Sequence, residues 1–287
     1  YNLLFIVLFM ETSEIKIKDT KVKIFSFLEK ARLLRNKEEF IELIMREIKE
    51  NNKDGFAGFL NKEGFRSHLE SWVCGEPLME GEYPKNKISI KKCLELIQDV
   101  FENVSEVLDK REISFYLFPT LSSFTIDKMG GVGGVLIWKN IIYIEIFPKR
   151  GWEKHFKSSL VHELAHALSP YFNVNSMKIG EGFVFDGIAE HFQEKFVGIK
   201  SPWAHAISKE EAYKIFRQIK LDLDNKDFDK YNEVFYGTGK YPLWAGYTIG
   251  YYLIEDYLKN KKDINWEKLL RENPKKILKE ILNKSEI

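Results

Sequence analysis

Cysteine is scarce in this chain, and neither sign of charge predominates. The 287 residues include 2 cysteines, Cys74 and Cys93, and the formal net charge is +1 at pH 7. Two cysteines outside any metal-binding spacing favour free thiols in a reducing compartment over a disulfide framework. A nearly neutral chain lacks the basic footprint of a nucleic-acid-binding protein. We therefore expect no nucleic-acid partner and a cytoplasmic location.

Long apolar segments are missing as well. Residues 1–10 are mostly apolar, but they are too short to span a bilayer, and they lack the basic start and the small-residue cleavage site of a signal peptide. One interpretation is that translation starts at Met10, so that residues 1–9 are not native. A truncated signal or anchor segment is the alternative. The sequence predicts no membrane span.

The strongest chemical signal is the pentapeptide His-Glu-Leu-Ala-His at residues 162–166. Its apolar flanks predict a helix, which Pro170 ends because proline lacks the backbone N–H that would continue it. Residues four apart on a helix project from nearly the same side, so His162 and His166 can bind one metal ion while Glu163 reaches a nearby water. The competing interpretation is that both histidines are hydrogen-bonded core residues.

A third ligand is expected in the segment 180–192. Asp186 and Glu190 are four residues apart, so both carboxylates lie on one face of a helix. Asp186 can bind the metal, and Glu190 can accept the free ring N–H of a liganding histidine and so fix its tautomer. Glu190 is the first alternative ligand, before Glu181 and His191. Otherwise Asp186 is a helix carboxylate favoured by the macrodipole.

These two segments carry a family resemblance. The HExxH sequence followed by Asp-Gly-Ile-Ala-Glu-His-Phe at 186–192 resembles the gluzincin group of zinc metallopeptidases. It looks most like a largely uncharacterised bacterial family of predicted Zn-dependent proteases whose second helix reads close to E-G-L-A-E-H-F. The resemblance implies a zincin-like catalytic domain, Zn²⁺ held by His162, His166 and Asp186, Glu163 as general base, and a peptide or protein substrate.

Asp186 departs from the glutamate of that family. Aspartate is one methylene shorter, so its helix must approach the metal more closely, although aspzincins also use an aspartate ligand. The segments 201–204 and 241–251 are similar to a Pro-Trp stretch and to a late P-x-W-x-G-Y segment of the same family. They supply Tyr247 and His205 as candidates for stabilising an oxyanion. The alternatives are a packing role for Tyr247 and an ordinary surface position for His205.

Two apolar segments before the metal helix predict strands. Residues 113–119 and 141–148 are rich in β-branched and aromatic side chains and end in proline. The second strand is our candidate for the sheet edge that binds an extended peptide, which would make Tyr143, Ile144 and Glu145 substrate-binding residues. Its nearly continuous apolar run equally fits an internal strand. The glycine-rich segment 129–135 is interpreted as a flexible hairpin turn rather than a phosphate loop.

Apolar residues at helical spacing dominate the region from about 22 to 110. We therefore predict an α+β, mainly helical chain with a small sheet. Residues 1–105 are predicted to form a helical N-terminal subdomain, and residues 106–287 the zincin-like metallopeptidase domain. The competing function is a catalytically weak or inactive zincin-like module that binds a peptide or protein partner. A purely structural helical protein is a third option.

Overall fold

The sheet holds the elements of the fold together. A computed structural model of the chain describes residues 11–33, 36–51, 66–67, 69–70, 83–84, 88–173, 176–259 and 261–284. Within these residues a mixed five-stranded sheet has the order β1-β2-β3-β5-β4, with β2, β3 and β5 parallel and the outer strands antiparallel. The strands are β1 (Glu11–Ile17), β2 (Thr20–Ser26), β3 (Glu112–Pro119), β4 (Val132–Trp138) and β5 (Ile141–Ile146).

Helices make up most of the rest, so the α+β, mainly helical class is confirmed. The α-helices are α1 (Lys37–Asn51), α2 (Ile90–Asn103), α3 (Ser123–Lys128), α4 (Trp152–Leu168), α5 (Ile179–Val197), α6 (Lys209–Ile219), α7 (Phe228–Phe235), α8 (Ala245–Leu258), α9 (Trp266–Leu270) and α10 (Pro274–Lys284). Short 3₁₀ helices span Leu28–Leu33, Trp203–His205 and Lys220–Asp222. None of the helices in these described ranges is long and apolar enough to cross a bilayer.

The predicted helical N-terminal subdomain is wrong for residues 11–26. These residues form a hairpin, and β2 continues the sheet by pairing in parallel with β3. Val22 and Ile24 are fully buried on one face of β2, alternating with lysines. This period of two suits a strand beside a sheet, and tertiary pairing overrides the helical interpretation. The helices predicted nearby are present as α1 and α2, and the boundary near residue 105 stays a prediction.

The prediction that Tyr143, Ile144 and Glu145 lie on an edge strand is also wrong. Strand β5 lies between β3 and β4, so both of its edges are paired, and all three side chains are buried. Its continuous apolar run reflects burial on both faces of the sheet, as the alternative interpretation stated. The edge strand beside α4 is β4, which includes the glycine-rich residues 132–135 that we interpreted as a turn.

A close crossing of two helices positions the second helix of the site. A Cβ built on Gly187 of α5 would lie 2.2 Å from the carbonyl oxygen of Gly250 in α8, and a Cβ on Gly250 would lie 2.4 Å from that of Phe183. Only glycine permits backbones to approach this closely. The crossing fixes the backbone immediately after Asp186 against a rigid neighbour.

One of the two cysteines lies in the described part of the chain. Cys93 on α2 is buried within the main hydrophobic core. Its packing there is that of a small apolar side chain. Cys74 lies outside the described residues.

Candidate metal centre

Helix α4 carries the pentapeptide through the middle of the protein. It packs against β4 and β5 on one side and against α5 on another. From Ser158 to Leu168 every residue is buried, because apolar or small residues occupy nearly every face between the two neighbours. Arg111 donates a hydrogen bond to the carbonyl oxygen of Ala167, so one of the unpaired carbonyls at the helix end is satisfied. Both histidines are therefore held on a rigid element.

Three ligand atoms converge between α4 and α5. The Nε2 atoms of His162 and His166 are 3.1 Å apart, and Oδ1 of Asp186 lies 3.5 Å from the first and 3.4 Å from the second. Zinc bound tetrahedrally at about 2.0–2.1 Å from each ligand requires ligand atoms about 3.3 Å apart. The triangle thus has the size that a tetrahedral zinc ion needs, and these buried residues fit the metal.

The charges of the group are coupled. Burial disfavours the charged form of His162, but the nearby carboxylates of Asp186 and Glu190 outweigh burial and raise the pKa of His162 well above its ordinary value. Burial likewise opposes ionisation of Asp186, but its two histidine partners hold the pKa of the carboxyl below its usual range. A cation is therefore favoured at this point between the side chains.

Glu190, the predicted supporting carboxylate, lies beside the ring of His162. Its Oε1 atom is 2.8 Å from Nδ1 of His162, on the side of the ring opposite the metal-facing nitrogen. The same oxygen accepts a hydrogen bond from the indole N–H of Trp203 at 2.5 Å. A carboxylate in this position fixes the tautomer and the orientation of a liganding imidazole.

The other alternative ligands point elsewhere. Glu181 accepts a hydrogen bond from the backbone N–H of Lys178 and caps the start of α5. The ring of His191 stacks on Tyr251 with centroids 4.4 Å apart, and its Nε2 atom lies 3.0 Å from the carbonyl oxygen of Tyr251. Of the carboxylates and histidine considered on this helix, Asp186 is the one that joins the two histidines of α4.

Glu163 faces the edge strand. Its Oε2 atom accepts a hydrogen bond of 2.6 Å from the backbone N–H of Leu136 in β4. A Cβ on Gly134 would lie 2.9 Å from Cγ of Glu163, so the missing side chain of that glycine makes room for the carboxylate. The candidate base is consequently placed between the three ligand atoms and an edge of the sheet.

Family comparison agrees with this geometry. The family described as predicted Zn-dependent protease (DUF2268) matches residues 93–279, about two thirds of the chain. The chain belongs to this family. No curated protein matches it. The family match includes α4, α5 and the edge strand β4, so every candidate ligand lies within the region that the predicted Zn-dependent proteases share.

The two candidates for oxyanion stabilisation lie in different surroundings. The hydroxyl of Tyr247 donates a hydrogen bond of 3.0 Å to the hydroxyl of Tyr236. Burial first of all, and then the charges of Tyr236 and Asp186, raise the pKa of Tyr247 well above its ordinary value. His205 ends the 3₁₀ helix Trp203–His205, with Nε2 3.6 Å from Glu194 near the end of α5 and its ring against Tyr251. The charge of Asp186 therefore acts on the hydroxyl of Tyr247, while His205 contacts the C-terminal part of α5.

Sequence reasoning missed Tyr236. Loss of hydration raises the pKa of Tyr236 to about 12, and the negative charges of Asp186 and Glu163 contribute, although the side chain is 38% exposed. The tyrosine follows α7 directly, and Phe235 beside it contacts Gly182, one helical turn before Asp186. No pattern in 228–236 indicates this position, because it depends on the packing of α7 against α5.

Glu145 provides a prediction about stability and pH. It is buried beneath β4, where burial raises its pKa to about 7 despite hydrogen bonds from Thr125 and Thr120. Because the folded pKa lies above the unfolded value, the free energy of unfolding is unaffected below about pH 4.5 and falls by about 3 kcal/mol as the pH rises to 7. The variant E145Q cannot ionise, so this decrease should disappear.

Denaturant unfolding at pH 5 and pH 8 measures the effect. We expect wild-type protein to lose about 3 kcal/mol between these pH values relative to E145Q, with exposed Glu106→Gln as the control that follows wild type. Oε2 of Glu145 has no hydrogen-bond partner among the described residues, so the amide of E145Q destabilises the variant to some extent. This destabilisation is the same at both pH values and cancels when the change in free energy of unfolding between them is compared. Parallel pH profiles for wild type and E145Q would show that Glu145 does not titrate in this range.

Proposed function

We propose that the chain is a zinc-dependent peptidase of gluzincin type, with zinc held by His162, His166 and Asp186. The observation that supports this most directly is the triangle of ligand atoms with edges of 3.1, 3.4 and 3.5 Å. Three protein ligands leave a fourth position open, which is the arrangement of catalytic rather than structural zinc sites. When bound, zinc acidifies water and polarises a carbonyl group.

Glu163 is the proposed general base and acid. Its carboxylate removes a proton from the attacking water while the water oxygen forms a bond to the peptide carbonyl carbon. It then delivers that proton to the amide nitrogen as the carbon–nitrogen bond breaks, so one side chain serves both proton transfers. Glu190 and Trp203 keep the ring of His162 in one orientation throughout.

The free edge of β4 is the proposed binding site for the peptide backbone. In the described part of the chain β4 pairs with β5 alone, so its other edge faces away from the sheet. An extended peptide can add to such an edge through backbone hydrogen bonds. Gly133 and Gly134 present little side-chain bulk there, and the N–H of Leu136 already points at Glu163.

Tyr236 is the proposed donor to the oxyanion, in place of the sequence-based candidates Tyr247 and His205. Because the hydroxyl of Tyr247 donates to Tyr236, the hydrogen of Tyr236 is left available for another acceptor. A neutral phenol with a raised pKa keeps that hydrogen at neutral pH. Tyr247 then acts as a positioning residue that orients the Tyr236 hydroxyl.

Removing the Tyr236 hydroxyl should lower the rate of the chemical step. For Y236F we expect kcat to fall about 10²–10³-fold, as for loss of one oxyanion donor, with zinc content unchanged. Y247F should have a smaller effect, and Y213F, which removes a hydroxyl bonded to Asp256 on the outer helices, should have none. Steady-state kinetics on one peptide compare the three variants. A larger loss in Y247F than in Y236F would assign the donor role to Tyr247 instead.

Metal analysis and peptide cleavage together test the proposed function. Purified protein should contain one zinc ion per chain and cleave members of a peptide library. Chelation should abolish cleavage, and added Zn²⁺ should restore it. Stoichiometric zinc without cleavage would favour a peptide-binding module, and the absence of metal binding would exclude both zinc-dependent functions.

A further inference from the structure

Aromatic rings form a continuous line from the metal ligands to the surface. Trp203 lies 6.4 Å from the ring of His162, Trp244 lies 6.0 Å from Trp203, and Phe124 lies 5.9 Å from Trp244, measured between ring centroids. The two tryptophans are less than a tenth exposed, whereas Phe124 is 37% exposed. The line therefore ends in an aromatic surface that is open to a ligand.

This line ends beside the edge strand. The carbonyl of Thr125, next to Phe124, accepts a hydrogen bond from the N–H of Gly131, and the Thr125 hydroxyl bonds to Glu145, the strand partner of Gly133. Thr125, which follows Phe124 in the chain, is thus level with Gly133 of β4, while Glu163 contacts Leu136 further along the strand. Three residues of a strand separate these two levels by about 10 Å.

Trp244 is held in place by a strained backbone. Its φ of 66° lies in the left-handed region, where a large side chain is rare. The backbone N–H of Trp244 donates a hydrogen bond of 3.0 Å to the carbonyl of Phe235, and its carbonyl accepts one from Thr248 at 3.1 Å. The surrounding fold therefore stabilises an unfavourable backbone conformation. That conformation places the indole of Trp244 between Trp203 and Phe124.

We propose that Phe124 and Trp244 form a subsite for a large apolar side chain, preferably aromatic, of the bound peptide. This inference rests on the proposed function, since it takes β4 as the peptide-binding edge. In the proposed mode the peptide pairs antiparallel to β4, as β5 does on the other side of that strand, and therefore runs from the Leu136 level towards the Gly133 level. The side chain bound at Phe124 consequently belongs to the carboxyl side of the scissile bond.

The chemistry of the two rings selects the ligand. Phe124 and Trp244 contact each other edge to face, and Trp244 contacts Trp203 in the same way. Covering the exposed part of Phe124 with an aromatic side chain removes apolar surface from water and adds an edge-to-face contact. Together these effects are worth about ten-fold in affinity over an alanine at the same peptide position.

Peptide binding to the zinc-loaded E163Q protein tests the subsite without relying on turnover. The probes are two alanine-rich octapeptides that differ by one central Phe or Ala, and titration calorimetry gives their affinities. We expect the Phe peptide to bind about ten-fold more tightly, a ratio that falls towards one when F124A is added. Addition of F228A, which removes an aromatic ring 75% exposed at the start of α7, should leave the ratio unchanged.

Cleavage of a randomised library by the wild-type protein separates this inference from the proposed function. Selection of aromatic residues on the carboxyl side of the cleaved bond, lost in F124A, supports the subsite. Cleavage without such selection, or a binding ratio that F124A leaves at about ten, overturns the subsite while the peptidase stands. A ratio that depends on Phe124 in a protein that cleaves nothing supports the subsite and overturns the peptidase.

Discussion

Replacement of Glu163 by glutamine should reduce peptide hydrolysis by about 10³-fold or more while leaving zinc bound. The carboxylate is placed to take a proton from water, and the amide that replaces it has almost the same size but cannot accept that proton. Hydrogen bonding to the N–H of Leu136 can persist through the amide oxygen, so the local structure should be preserved. Single-turnover kinetics at equal zinc occupancy measure the effect directly.

A matched control lies on the same helix. Glu153 is in the first turn of α4, away from the three ligand atoms, and E153Q should retain wild-type rates. Elemental analysis of both variants separates loss of base from loss of metal. Hydrolysis by E163Q at the wild-type rate would exclude Glu163 as the base, whatever the zinc content.

Replacement of Asp186 by asparagine should weaken zinc binding by more than about 100-fold. In the proposed site Asp186 supplies one of the three ligand atoms, and its negative charge favours a cation between the histidines. An amide of the same shape removes that charge and offers only a weak ligand. Competition with a zinc-binding dye gives the affinity of the variant relative to wild type.

Two other carboxylates on α5 define a graded series. E190Q should weaken zinc binding by about 10–100-fold, because Glu190 orients His162 without touching the metal. E181Q should leave affinity unchanged, since Glu181 caps the helix start. A loss in E190Q equal to or larger than that in D186N would exchange the roles of the two residues and make Glu190 the third ligand.

Much of the grouping of the candidate ligands was predictable because these residues are local in sequence. His162 and His166 are separated by one helical turn, and so are Asp186 and Glu190, so helix periodicity alone places each pair on one face. The pairs then need only a single packing contact between α4 and α5 to meet.

The errors share a different physical cause. The prediction that β5 lies at the edge failed because β4, which precedes β5 and pairs with its outer side, begins with a glycine-rich sequence that resembles a turn rather than a strand. The helical interpretation of residues 20–26 failed because apolar spacing in a short segment fits both a helix and a strand. Tyr236 was not predicted because nothing near it in sequence indicates that α7 packs beside Asp186.

The sequence by itself indicated the candidate ligands and the candidate base and determined the α+β class, since each follows from residue identity and short-range periodicity. Only the tertiary structure decided which strand is the free edge, which tyrosines lie within reach of the charge of Asp186, and that Trp203, Trp244 and Phe124 stand in one line. These arrangements join elements that are tens of residues apart, and the free energy that selects among them comes from packing rather than from local backbone preference.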